Sequence, residues 1–183
     1  MGSMAPIADC YRPDLSPPNP GPQHRELAQV LSKAGVDLIL CETFPHIGEG
    51  LAAAEAALST DTPTWLSFTA GPEDNLLSSS AIARGTASAA ALGVSAILVN
   101  CVPATSAERY LDAIAGHGIP FGIYANAGSK KQGIGWGAGP DGPARYVELA
   151  HTWVERGATL IGSCCGTGPE HIRALYSAFR RDD

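Results

Sequence analysis

Short, almost uniformly apolar runs recur along the chain, each followed by a turn and an Ala-rich stretch with helical spacing: VDLIL (36–40), TWLSF (64–68), SAILV (95–99), PFGIY (120–124) and ATLIG (158–162). A strand that is apolar at every position is buried on both faces, as parallel strands under a cover of helices are. Helical stretches over 23–34, 46–58, 78–92, 104–116, 141–156 and 168–180 fall between and around these runs. Segments such as LAAAEAAL (51–58) favour helix and pack closely on a sheet. The junctions AGVD (34–37), ALGVSA (91–96), GHGIP (116–120) and ERGAT (155–159) each put a Gly where a helix must stop before the next strand.

The strand centres Leu40, Leu66, Leu98, Ile123 and Leu160 recur about every 30 residues, the length of a βαβ unit. Parallel strands joined by helices leave two architectures, an open doubly wound sheet or a (β/α) barrel. No GxGxxG follows the first run, so the usual dinucleotide marker is missing. With GSMAPIA (2–8) as a further strand the chain holds about six strand–helix units in one domain over 1–183. Eight such units need roughly 250 residues, so a closed eight-stranded barrel does not fit.

Two stretches break the pattern. RPDLSPPNPGP (12–22) has five prolines and reads as an extended connection after the first strand. AGSKKQGIGWGAGPDG (127–142) is Gly-rich, carries Trp136, and reads either as a solvated linker or as a mobile substrate lid above PFGIY.

Composition excludes several classes of function. The 183 residues carry 12 Lys+Arg against 18 Asp+Glu, a formal charge of −6, and the only close pairs of cations are Lys130-Lys131 and Arg180-Arg181. That is the wrong electrostatic footprint for a nucleic-acid binder. No apolar run approaches the roughly 18 to 20 residues that span a bilayer, and MGSMAPIADC lacks the charged-then-apolar order of a signal peptide. The expectation is a cytoplasmic protein that engages neither membrane nor nucleic acid.

The five cysteines are odd in number and two of them are adjacent, so a disulfide framework is not expected and metal or thiol chemistry takes its place. Cys101 follows ILVN and the Cys164-Cys165 pair follows TLIGS, which puts all three just past the C-terminal ends of strands, where chemistry is done in this architecture. Only PFGIY lies between those strands, so their ends stand roughly 10 Å apart and thiols reaching inward can converge on one ion. The competing reading is that Cys101 is a buried structural thiol, as Cys10 and Cys41 are read to be. Three thiolates with an open fourth position form a catalytic kind of zinc site. Such a metal lowers the pKa of an incoming thiol and holds it as thiolate, which suits alkyl transfer to sulfur.

The set CETFPHIGE (41–49), LVNC (98–101), YANAG (124–128) and LIGSCCGTGPEHI (160–172) resembles the homocysteine S-methyltransferase family, and GSMAPIADCYRPDL looks like that family's third-strand region. The resemblance covers essentially the whole chain. It implies a (β/α)8 TIM-barrel fold, here truncated, in which Zn2+ held by Cys101, Cys164 and Cys165 binds homocysteine. The homocysteine sulfur then accepts a methyl group to give methionine. By the same match Glu42 falls on the acidic residue that binds the amino group of homocysteine, with Thr43 beside it, and Asn126 on a polar site position. Against the family, the first two strand–helix units are expected to be missing, and Ser163 stands where Gly is common.

Strand 2–8 and strand 158–162 would then have unpaired edges that demand cover by a homodimer partner, a complementing chain, or folded-over helices and loops. Thr167-Gly168-Pro169-Glu170 reads as a capping box that starts the last helix, with His171 structural. His46 lies in the loop after Glu42, and His24, His117 and His151 read as surface residues. The expected function is a zinc-dependent S-methyltransferase acting on homocysteine with a small onium donor, S-adenosylmethionine or S-methylmethionine. The alternatives are a non-catalytic zinc or thiol-binding module, a half-enzyme that needs a partner chain, or, on the weak signal of the Gly-rich loop, another small-molecule enzyme.

Overall fold

The computed structural model of the chain describes residues 1–127, 132–136, 139 and 141–180. Six strands form one parallel sheet in chain order: β1 (Gly2–Met4), β2 (Ile39–Phe44), β3 (Thr64–Phe68), β4 (Ala96–Pro103), β5 (Phe121–Asn126) and β6 (Leu160–Ser163). The helices between and after them are α1 (Gly21–Lys33), α2 (Ile47–Leu58), α3 (Ser79–Leu92), α4 (Glu108–Ile114), α5 (Gly142–Glu155) and α6 (Pro169–Phe179). Among the described residues each strand pairs only with its sequence neighbours, so β1 and β6 are open edges there. This is the six-unit open arc expected from the spacing of the apolar runs.

The alternation of side chains along each strand sorts two unequal cores. Ile39, Cys41, Ile97, Val99 and Ile123 face the helices and join a large buried cluster with the small faces of α2 and α3, including Ala53, Ala57 and Ala89. Leu40, Ala96 and Leu98 face the other way, toward the concave side, with Trp65, Tyr124 and Leu160 packed around them. Small residues let α2 approach the sheet closely: a Cβ on Gly50 would stand 2.9 Å from the Phe68 ring. The helix stops are built as the sequence suggests, with Gly35, Gly93, Gly116 and Gly157 at φ of 78°, 96°, 83° and 91°. Those left-handed values cost a Cβ-bearing residue strain that glycine avoids.

Several details depart from the sequence reading. The strand expected over 2–8 is β1 alone, and the connection over 12–22, expected to be extended, holds a 3-10 turn (Pro13–Leu15) and the start of α1. Strand β2 starts later and continues through CETF, because Cys41 and Phe44 still pair with β3 on either side of a register shift at Glu42 and Thr43. The stretch after β4 opens as a 3-10 turn (Ala104–Ser106) before α4, which shortens that helix. At the start of α6 the residue that reaches back to the N-cap is His171, whose Nδ1 accepts from the Gly168 amide at 3.0 Å, instead of Glu170. The stretch 127–142, which reads either as a linker or as a lid, lies in part outside the described residues.

Candidate metal centre and its flanking pockets

The C-terminal ends of β4 and β6 bring three sulfurs together. The Sγ atoms of Cys101, Cys164 and Cys165 all lie within 4.8 Å of one another. Cys165 Sγ stands 3.9 Å from Cys101 Sγ and 3.9 Å from Cys164 Sγ. Cys101 and Cys164 are joined as a disulfide with Cα atoms 5.8 Å apart, which corrects the expectation of wholly free thiols. Their closeness has a backbone cause. The β4–β5 register shifts between Asn100 and Pro103, and Cys101 takes a left-handed φ of 51°, which turns its side chain off the strand axis. On the other side, Cys164 N donates to Ala125 O at 2.8 Å and Ala127 N to Cys165 O at 2.9 Å, extending β5–β6 pairing past the end of β6.

Asn100 anchors this corner, a role the sequence reading missed although it quoted the residue within LVNC. It is fully buried. Its Oδ1 accepts from Ser67 Oγ at 2.7 Å and from the Thr43 amide at 3.1 Å, and its Nδ2 donates to Thr43 Oγ1 at 2.7 Å. Thr43 itself has φ of 64°, so these bonds hold a strained turn at the end of β2. The hydroxyl of Thr43 thereby accepts from Asn100 and keeps its own proton to donate.

A tetrahedral Zn2+ with sulfurs at about 2.3 Å sets ligand sulfurs about 3.8 Å apart. The two Cys165 separations of 3.9 Å match that spacing. Cys101 and Cys164 in reduced form complete a set of three soft thiolate donors, so the residues fit such an ion. Cys41 is fully buried and its thiol is pushed up to about 12 by burial, so it stays protonated and inert. Cys10 lies outside the cluster, though close enough to Cys165 to be raised, first by burial and then by its neighbouring charges.

Two pockets flank the cysteines. One, of about 580 Å³ on the concave face, is bordered by Glu42, Trp65, Tyr124, Ser163 and Cys164. Here Glu42 accepts from Ser3 Oγ at 2.5 Å and from the Tyr124 hydroxyl at 3.1 Å. Burial and the Glu42 charge hold the Tyr124 phenol well above its ordinary range, so it donates. The other pocket, of about 480 Å³, is bordered by Tyr11, Glu73, Asn126, Trp136 and Cys165. Tyr11 is hydrogen-bonded to Cys165, and its phenol is raised to about 12 by burial and then by that thiolate. The structure thus divides the expected site residues: Glu42 borders the Cys164 side, and Asn126, nearly fully buried, the Cys165 side.

The histidines are structural in their contacts. His46 caps α2 by accepting from the Glu49 amide at 3.1 Å. His171 donates from Nε2 to Ile134 O at 2.6 Å. His24, expected at the surface, is buried and lies 3.3 Å from the equally buried Glu49, because α1 packs on α2. Glu49 also accepts from the Ile7 amide at 2.8 Å.

A family model described as homocysteine S-methyltransferase matches residues 1–179. The chain is 33% identical over 171 residues to homocysteine S-methyltransferase 3 of Zea mays and 31% identical over 164 residues to homocysteine S-methyltransferase of Escherichia coli K12. It is 31% identical over 160 residues to selenocysteine methyltransferase of Astragalus bisulcatus. The matches cover 84%, 83% and 84% of this chain but 47%, 51% and 47% of those proteins, so the chain spans about half the length of the curated relatives it matches. Among solved structures, a Burkholderia cenocepacia J2315 protein provisionally described as a phosphonomutase superposes with a TM-score of 0.61 at 13% identity, covering 96% of this chain and 74% of that one. At that identity the likeness speaks to the fold alone.

Proposed function

The chain belongs to the homocysteine S-methyltransferase family, and on that premise we propose that it carries the thiol-activating centre of a zinc-dependent S-methyltransferase. The acceptor is homocysteine, the donor a small onium compound such as S-adenosylmethionine or S-methylmethionine, and the product methionine. The observation that carries this reading is the convergence of Cys101, Cys164 and Cys165 beside Glu42 at the strand ends. A zinc ion held by the three cysteines supplies a thiolate at neutral pH.

This chain's own residues do the rest. The Glu42 carboxylate, fixed by Ser3 and Tyr124, receives the ammonium group of the amino acid. The apolar floor of Leu40, Leu98 and Leu160 accepts its methylenes and keeps the thiolate dry, which preserves its nucleophilicity. The acceptor's thiol proton leaves to solvent. The thiolate sulfur then forms a bond to the donor's methyl carbon as the carbon–sulfonium bond breaks, and that electron pair stays on the donor sulfur as a neutral thioether. A reducing compartment, the cytoplasm, suits a site made of thiols.

A second reading rests on the open edges. Nothing among the described residues pairs with the outer side of β1 or of β6, and Ile161, Ile172, Tyr176 and Phe179 line an apolar hollow of about 720 Å³ beside β6. Eight strands close a barrel of this type. In this reading the centre acts only when a second copy or a complementing chain closes the arc, and alone it is a zinc- or thiol-binding module.

The deciding experiment measures zinc in the purified, reduced chain and methionine formed from homocysteine with each donor. About one zinc per chain with methionine formed supports the transferase reading. Zinc without methyl transfer, reversed by adding a fragment that supplies two further strand–helix units, supports the complemented half-site. Zinc without transfer under either condition removes the catalytic reading.

A further inference from the structure

We propose that the pocket on the Cys165 side is the binding site for the cationic methyl donor, with Trp136 and Tyr11 as its aromatic walls and Glu73 as its counter-charge. The proposal rests on the transferase reading for the identity of the donor, but the site itself stands on geometry. Cys164 borders the concave pocket that contains Glu42, and Cys165 borders the pocket that contains Tyr11 and Trp136. A sulfur held at the cysteine cluster therefore adjoins both the acceptor's pocket and a second, chemically different one. Displacement at a methyl carbon needs two such places, one for the nucleophile's carrier and one for the leaving group.

The lining of the second pocket suits an onium group. A sulfonium or quaternary ammonium offers no hydrogen-bond donor on its charged centre, so a protein recognises it with the faces of aromatic rings and with carboxylates. Tyr11 and Trp136 supply the rings. Asp74 is committed to Arg109 at 2.9 Å and to the Tyr110 hydroxyl at 3.0 Å. Among the described residues Glu73 makes no ion pair and no Lys, Arg or His borders the pocket, so its charge is available to a ligand. The volume of about 480 Å³ lies within the range of small-molecule sites.

Trp136 is half exposed yet held in place. Its amide donates to Gly166 O at 2.9 Å, and its indole lies so close over Gly166 that a Cβ there would collide with the ring. Two residues before it, the buried Ile134 is tied through its carbonyl to His171 of α6. Packing over Gly166 covers only part of this large aromatic side chain, and the rest is presented to solvent beside a reactive centre. Donor recognition gives that exposed part a role.

The test uses the reduced chain without homocysteine, so that no turnover occurs. Equilibrium dialysis with S-methylmethionine and S-adenosylmethionine gives affinity, and the difference in indole fluorescence between the Trp65→Phe chain and the same chain carrying Trp136→Phe reports on Trp136, because Trp153 is common to both. The expected result is saturable binding of at least one of the two donors with quenching, and at least tenfold weaker binding of uncharged methionine. Trp136→Ala should weaken donor binding at least tenfold. Glu73→Gln, an exposed change without packing consequences, should weaken it severalfold while leaving zinc content unchanged. Absence of saturable binding of both donors, methionine bound as tightly, or affinity unmoved by both substitutions overturns the site. The two readings fail separately. Donor binding that depends on Trp136 in a protein that transfers no methyl group refutes the transferase reading and keeps the pocket. Methyl transfer whose donor KM ignores Trp136→Ala does the reverse.

Discussion

Replacing Asn100 with Ala tests whether one buried amide holds the fold and the metal centre together. The side chain makes three hydrogen bonds, to Ser67 Oγ, the Thr43 amide and Thr43 Oγ1. Each is worth about 1 kcal/mol net, and a buried partner left without a substitute costs about 1–3 kcal/mol. Ser67 is fully buried, so its hydroxyl has no water to turn to and would keep only its contact with the Tyr124 hydroxyl. The loss should therefore be about 3–5 kcal/mol, or a fall in Tm of about 10 °C for a domain of this size. Ser67→Ala removes only one of the three bonds and should cost about 1 kcal/mol. Because Cys101 follows Asn100 directly and sits at a left-handed φ of 51°, loosening this turn should also weaken zinc binding in the same variant. Thermal unfolding and metal titration of wild type, Ser67→Ala and Asn100→Ala decide the matter. If Asn100→Ala costs no more than Ser67→Ala, the amide is not the anchor. If Tm falls while zinc affinity holds, the turn and the ligand placement are uncoupled.

Changing Cys101, Cys164 or Cys165 to Ala should each abolish stoichiometric zinc binding by the reduced chain, whereas Cys10→Ala and Cys41→Ala should keep it; zinc retained in Cys165→Ala would contradict the ligand assignment. Gly122→Ala should lower the urea midpoint by the equivalent of at least ~2 kcal/mol, because a Cβ at Gly122 would collide with the Leu160 carbonyl, which is backbone and cannot move aside; an unchanged midpoint would refute the β5–β6 register. Burial holds the His24 pKa below its ordinary 6.5, with Glu49 opposing the shift. Between the lowered folded value and 6.5 the unfolded chain binds more protons, so stability is full above 6.5 and falls as pH drops through that window. His24→Gln should flatten that slope in urea titrations from pH 7.5 to 5.

The arc of six units was legible because two independent signals agreed, apolar runs too uniform for one-sided strands and glycines at the helix stops. Where the structure runs past the sequence reading, the cause is a residue whose partner is remote in sequence. Strand β2 continues through Cys41, Glu42, Thr43 and Phe44 although the run turns polar, because Glu42 meets Tyr124 and Thr43 meets Asn100. His24 reads as a surface residue on a short amphipathic helix. It is buried because α1 and α2 pack together and Glu49 faces it, and no local pattern marks that meeting.

The candidate site divides in the same way. Cys101, Cys164, Cys165 and Glu42 carried their chemistry in their residue type and in their place at strand ends. Tyr11, Glu73 and Trp136 did not, since each lies on a different connection and Tyr11 stands just before the proline-rich stretch. The paired cysteines explain why such a pocket should be sought. Cys164 and Cys165 hold their sulfurs 3.9 Å apart just past the end of β6, yet Cys164 borders one hollow and Cys165 the other. Cys101 joins them at a common point from β4. The cysteine cluster of this chain is therefore a centre that two hollows adjoin. A reaction in which one group attacks and another departs along a single line requires such a centre, whereas a closed structural zinc site has no use for it.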